Sequence, residues 1–275
     1  MLIIFLCIML LGSFATSSIY AAEPVEKVYF SIRDRRGDDY GSGNLRYPTD
    51  PLFVPGIFDL SRFRVGTLPD KVWFDLTFRE VTNPFNAPEG YFHQRMEVFI
   101  DTRTGDGSSE VAIGGHTLRL AEGSKWQVRI SGAPFAECRA YVWRDGKLHL
   151  FSEGVGSYLL SDGRTIRIEV PQEILPPIDP SWRFAVLIGG FDVLAPDFWR
   201  QGVGYSDQWR FEAELPIADL LGPWWSWPGQ KQQLREGVLY PVQRRPPVVL
   251  LFGGVLVTAL LLSGFLVVFR RWKHA

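Results

Sequence analysis

From Val25 to about Glu214 the dominant signal is short runs in which apolar residues alternate with polar ones, and this period of two constrains the fold more than any other feature of the chain. In Lys71–Arg79, Val72, Phe74, Leu76 and Phe78 share one side, while Trp73, Asp75 and Thr77 share the other. Arg164–Val170 repeats the pattern with Ile166, Ile168 and Val170, and Arg95–Asp101 with Met96, Val98 and Ile100. Further strands are predicted at Val25–Ile32, Phe58–Val65, Thr117–Ala121, Lys125–Ile130, Ala140–Trp143, Lys147–Phe151, Trp182–Ile188 and Gln208–Glu214. Asp145-Gly146 between two of these runs is a tight hairpin signal, and Asp162-Gly163 a second turn. Helix signals are scarce; Pro171–Leu175 has room for one turn before Pro176-Pro177 stops it. Roughly ten short strands separated by Gly- and Pro-rich loops predict an all-β, two-sheet immunoglobulin-like sandwich of about 190 residues.

The two ends differ from this body. Residues 1–22 carry an apolar run, Leu2–Gly12, followed by small residues, which is the order of a secretory signal peptide. Residues 248–269 contain no charged side chain, and as a helix they would span roughly 33 Å, close to a hydrocarbon core of about 30 Å. Arg270, Arg271 and Lys273 follow at once in a tail of residues 270–275. Before the apolar run, residues 215–247 carry Trp224, Trp225, Trp227 and six prolines, which composition reads as a stalk. The expected layout is therefore a signal peptide (1–22), a β-sandwich (23–214), a stalk (215–247), a transmembrane helix (248–269) and a cytoplasmic tail. That layout predicts a single-pass type I protein of a prokaryotic cell membrane, with the lipid bilayer as a partner and the sandwich facing outside the cytoplasm.

Charge and cysteine usage exclude several classes. The chain has 29 Lys and Arg against 30 Asp and Glu, and three of the basic residues lie in the tail, so the body is mildly acidic and unsuited to a phosphate backbone. Of its 2 cysteines, Cys7 lies in the leader, and Cys138 alone cannot close an internal disulfide. Neither a Walker, a GxGxxG nor an HExxH motif occurs, and the four histidines show no nucleophile spacing, so the reading is non-enzymatic.

Several ordered motifs are shared with a known family. They are Gly37-Asp38-Asp39-Tyr40-Gly41-Ser42-Gly43, Tyr47-Pro48-Thr49-Asp50-Pro51, Phe58-Asp59-Leu60 and Asn83-Pro84-Phe85-Asn86-Ala87-Pro88-Glu89-Gly90-Tyr91. Val98–Thr102, Arg164–Ile168, Trp182–Gly190 and Ala195–Arg200 continue the match in order. From Val25 to Phe211 the chain resembles the carboxy-terminal DOMON-like domain of bacterial glucodextranases and related amylopullulanases. The resemblance implies a β-sandwich accessory module, related in architecture to carbohydrate-binding modules, whose hydrolytic partner is a separate helical-barrel domain. It implies binding of an α-glucan-like polysaccharide or a cell-envelope glycan.

Two groups of residues are candidates for binding. Asp34, Asp38, Asp39, Asp50 and Asp59 crowd the first 60 residues, and carboxylates in a Gly-rich loop suit a hard cation. Structural Ca²⁺ on Asp38, Asp39 and Asp59 is one reading; turn formation by Asp is the other. For sugar, aromatic faces beside amides and carboxylates are needed. Phe85, Asn86, Glu89, Tyr91 and His93 in one loop, with Asp192, Asp197, Trp199 and Arg200 in another, fit that need. Two further readings stay open: electron transfer through b-type haem held by Met96 with His93, His116 or His149, for which core packing is the better account of Met96, and a structural, protein-binding subunit of an envelope complex.

Overall fold

The computed structural model describes residues 26–201 and 207–243. In chain order they form β1 (Lys27–Arg33), β2 (Leu60–Thr67), β3 (Lys71–Phe78), β4 (Gln94–Asp101) and β5 (Glu110–Ile113). There follow β6 (His116–Leu120), β7 (Val128–Gly132), β8 (Arg139–Arg144), β9 (Lys147–Phe151) and β10 (Gly156–Leu159). The last elements are β11 (Thr165–Pro171), β12 (Arg183–Gly190), β13 (Asp219–Leu220), α1 (Gln230–Glu236), β14 (Val238–Leu239) and β15 (Val242–Gln243).

Two antiparallel sheets stack face to face. The first runs β1-β2-β3-β11-β10, and the second β13-β12-β4-β7-β8-β9, with β15 also paired to β12. The apolar alternation of β3 and β11 turns Phe74, Leu76, Ile166 and Ile168 into the interior, where Met96, Val98 and Ile130 of the second sheet meet them. Each such side chain contributes roughly 1.5–3 kcal/mol by leaving water. The Asp145-Gly146 turn forms as its residue types demand: both have positive φ, 50° and 71°, and Arg144 pairs with Lys147 across it.

A third layer covers the outer face of the second sheet. Its small sheet, β14-β6-β5, pairs β14 parallel to β6. Leu118 and Leu120 of β6, Leu234 of α1 and Leu239 of β14 form a second core with Phe99, Ala185 and Leu187. This explains the unbroken apolar run Phe184–Ile188: β12 is buried on both faces, so its residues do not alternate.

Three expectations are corrected. First, residues 215–243 are not a stalk. Strands β13 and β15 pair with β12, and α1 and β14 close the second core, so the segment has apolar surface to bury and finds it on the sandwich. Second, Gln208–Glu214 is not a strand. A 3-10 turn at Asp207–Trp209 precedes a lone bridge between Arg46 and Glu212, because Trp209 docks edge-on against Phe53 and Phe211 against Phe58. Third, no helix among the described residues is long and apolar enough to cross a membrane, and α1 has only seven residues. That finding overturns the type I, membrane-anchored placement, and nothing among the described residues supports the lipid bilayer as a partner. The leader (1–22), the apolar run (248–269) and the tail (270–275) lie outside the described residues.

Candidate functional site

Loops at one end of the sandwich converge on a cleft of about 350 Å³ lined by Phe85, Phe92, Phe135, Phe191, Val193 and Trp209, with Asp192 and Arg200 in its wall. The rings touch in sequence: Phe85 lies 4.5 Å from Phe92 between centroids and 6.1 Å from Trp209, and Phe92 lies 6.3 Å from Phe135. Phe85 and Phe135 are each 48% exposed, a large apolar area to leave in water. Phe135 also holds a positive φ of 51°, a conformation that costs a bulky residue energy and persists only where the surroundings impose it. Its backbone N–H donates to Glu89 Oε2 at 3.2 Å, which helps hold the ring outward.

Among the described residues that line the cleft, the charged ones are Asp192 and Arg200, both buried. Arg200 Nη1 stands 3.6 Å from Asp192 Oδ2, while Nη2 donates to the Phe191 carbonyl at 2.8 Å and Nη1 to the Trp209 carbonyl at 3.0 Å. The guanidinium therefore clamps the two chain segments that carry the rings. Beneath it His93 packs against Phe53 and Phe92, and burial together with the Arg200 charge pushes its pKa down to about 4.

Of the nine residues expected at a sugar site, Phe85, Asp192 and Arg200 line this cleft and His93 lies below it. Asn86 and Glu89 belong to the same exposed loop, and Asp197, also exposed, accepts from Arg95 Nε through its carbonyl at 2.9 Å. Tyr91 and Trp199 are fully buried packing residues: Tyr91 bonds Ser157 Oγ at 2.6 Å. The Trp199 ring lies so close to Gly189 that an added Cβ there would sit 2.3 Å from it. Sequence reasoning missed Phe92, Phe135, Phe191, Val193 and Trp209; an aromatic after Ala133-Pro134, outside any alternating run, was the available signal for Phe135.

The acidic group assembles elsewhere. Asp38, Asp59 and Asp219 each bring one carboxylate oxygen to within 4.8 Å of the others, and all three are buried. Asp39 is not among them; Tyr47 Oη donates to its Oδ2 instead, and burial beside that carboxylate pushes the Tyr47 phenol up. Asp34 joins the group at its edge, where the Asp38 charge acts on it. Burial raises the pKa of all four carboxyls, and repulsion from the others adds to it for Asp34, Asp38 and Asp219, while the Asp39 charge does so for Asp59; Asp38 is pushed up to about 7, by burial first and the Asp59 charge second. Met96, for which core packing is the better account than haem ligation, is fully buried in the main core.

Residues 29–224 match the family model of the C-terminal, SLH-like binding module of glucodextranase. The chain belongs to this family. The match covers every residue of the aromatic cleft and all four clustered aspartates, while α1, β14 and β15 lie beyond its end. The glucodextranase module is a binding module and not a catalytic domain, in keeping with the non-enzymatic reading of the motifs. No match is found among curated proteins.

Proposed function

We propose that the chain is a non-catalytic module that binds carbohydrate, an α-glucan-like polysaccharide or a cell-envelope glycan, in the cleft between Phe85 and Phe135. The observation that carries this reading is the pair of half-exposed rings, one of them in a costly backbone conformation, facing a shared apolar floor. Sugar rings offer apolar C–H faces to such surfaces, and Asp192 and Arg200 supply an acceptor and donors for hydroxyls. Membership of a glucodextranase module family supports the same ligand class.

Native gels containing soluble starch, dextran or envelope glycan test it. At least one polymer is expected to retard the chain, and Phe85→Ala with Phe135→Ala is expected to abolish that retardation while the thermal melt stays unchanged. Migration unaffected by every polymer overturns the reading. One observation favours a second reading, a protein-binding subunit: Leu194 and Val193 at the rim are 82% and 60% exposed, more apolar than a sugar site requires. Retardation by glycan decides against it.

A further inference from the structure

The geometry points to a calcium site built from Asp38, Asp59 and Asp219, with Asp34 at its edge, that ties the loop between β1 and β2 to the segment leading into α1. This goes beyond the glycan reading and stands independently of it. Two independent observations carry it: the convergence of three buried carboxylates, and the state of their oxygens.

Backbone donors orient the carboxylates of Asp34, Asp59 and Asp219. Gly37 N–H donates to Asp59 Oδ2 at 2.9 Å, and Gly222 N–H to Asp34 Oδ1 at 2.7 Å. Asp219 accepts from Leu60 N–H at 2.7 Å and from Leu220 N–H at 2.8 Å. Backbone donors favour the ionised form of the carboxylate they serve. Yet Asp59 Oδ1, Asp38 Oδ1 and Asp34 Oδ2 are buried and have no hydrogen-bond partner among the described residues. A buried acceptor without a partner costs about 1–3 kcal/mol, more when charged, so three in one place call for a ligand. The charge of Arg35 acts on Asp38, and those of Arg79 and Arg36 on Asp59, yet none of these arginines is hydrogen-bonded to the three oxygens.

The donor set is all oxygen, which selects a hard cation over zinc, copper or iron. Calcium takes oxygens at about 2.3–2.6 Å, so ligands on opposite sides of the ion stand roughly 5 Å apart. The 4.8 Å limit that contains the three oxygens meets that requirement. Access exists as well: Asp38 lines a cleft of about 370 Å³ bounded by Tyr40, Trp227, Gln230 and Arg235. The neighbouring amide is already committed, since Gln230 donates to the Asp38 and Gly41 carbonyls and accepts from Leu220 N–H, so it frames the site without filling it.

The test uses the full chain stripped with EGTA. At about 5 mM CaCl₂, above the range of weak extracellular calcium sites, the melting temperature is expected to rise by roughly 5 °C or more. Terbium is expected to luminesce in the site through Tyr47, and calcium to displace it. Asp59→Asn and Asp219→Asn are expected to lose both responses, and Asp39→Asn to keep them. Should either Asn variant not fold, calorimetric titration of the stripped wild-type chain with CaCl₂ decides alone: one calcium per chain supports the site. Absence of heat and of any change in melting overturns it, as does a calcium response that survives in Asp59→Asn or an equal response to MgCl₂.

Discussion

The molecule buries acidic side chains in two opposite ways. Glu97 and Asp75 sit fully buried on the sheets, each held by two arginines. Arg129 reaches Glu97 at 2.7 and 2.8 Å and Arg95 at 2.6 Å; Arg64 and Arg167 both reach Asp75 at 2.7 Å. Asp38, Asp59 and Asp219 are buried too, but they face one another. The arginines hold Glu97 below the usual carboxylate range in spite of burial, whereas the clustered aspartates are all pushed above it. The sheet thus carries its own counter-charges across neighbouring strands, whereas in the loop cluster the carboxylates face one another. A buried acid is stabilising only with respect to what is placed opposite it.

The comparison can be broken at several points. The largest effect is expected for Glu97→Ala, which strands Arg95 and Arg129 and is predicted to cost about 3–5 kcal/mol in urea unfolding; a loss below about 1 kcal/mol would mean that these charges are solvated. Next comes acid. His93 has a folded pKa of about 4 against an ordinary value of 6.5, so the unfolded chain takes up its proton first. This residue therefore adds a limb along which roughly 3 kcal/mol is lost as pH drops from about 6.5 to about 4, set against the gain from Asp38, whose raised pKa favours the folded chain on acidification. His93→Gln should flatten that limb. Glu97, with its folded pKa depressed, adds a second loss that begins below about pH 4.5 and is absent in Glu97→Gln. Asp75→Asn keeps the shape but not the charge opposite Arg64 and Arg167, and is predicted to cost about 2 kcal/mol by chemical denaturation. The smallest effect sharpens the contrast by its sign. In excess EGTA, Asp59→Asn is expected to leave the melting temperature unchanged or to raise it, because an amide oxygen still accepts from Gly37 N–H while the buried charge facing Asp38 and Asp219 is removed. A clear loss there would show that the cluster, like the sheets, is internally compensated.

The parts of this architecture set by local chemistry were readable in advance. Phe74, Leu76, Ile166 and Ile168 announce a buried face because strand geometry sends alternate side chains to one side. The Asp145-Gly146 hairpin follows from two residues that accept positive φ. The third layer was not readable. Leu234 and Leu239 are ordinary apolar residues in a Pro- and Trp-rich stretch, and only the uncovered face of β4 and β12 gives them somewhere to go. The cleft was half readable: Phe85, Asp192 and Arg200 stand in loops, but Phe135 and Trp209 arrive from turns whose direction no spacing encodes.

The acidic cluster shows the same division most plainly. Asp38 and Asp59 lie within one loop, and their proximity was visible in the chain itself. Asp219 is separated from Asp59 by 160 positions, and it joins them only because β13 pairs with β12 while its carboxylate caps Leu60 N–H. Residue identity alone thus determined a two-layered β protein with acid in its first loop. Which acids meet, and which of them lack a partner, was decided by long-range strand pairing, since a side chain's charge is local but its neighbours are chosen by the fold.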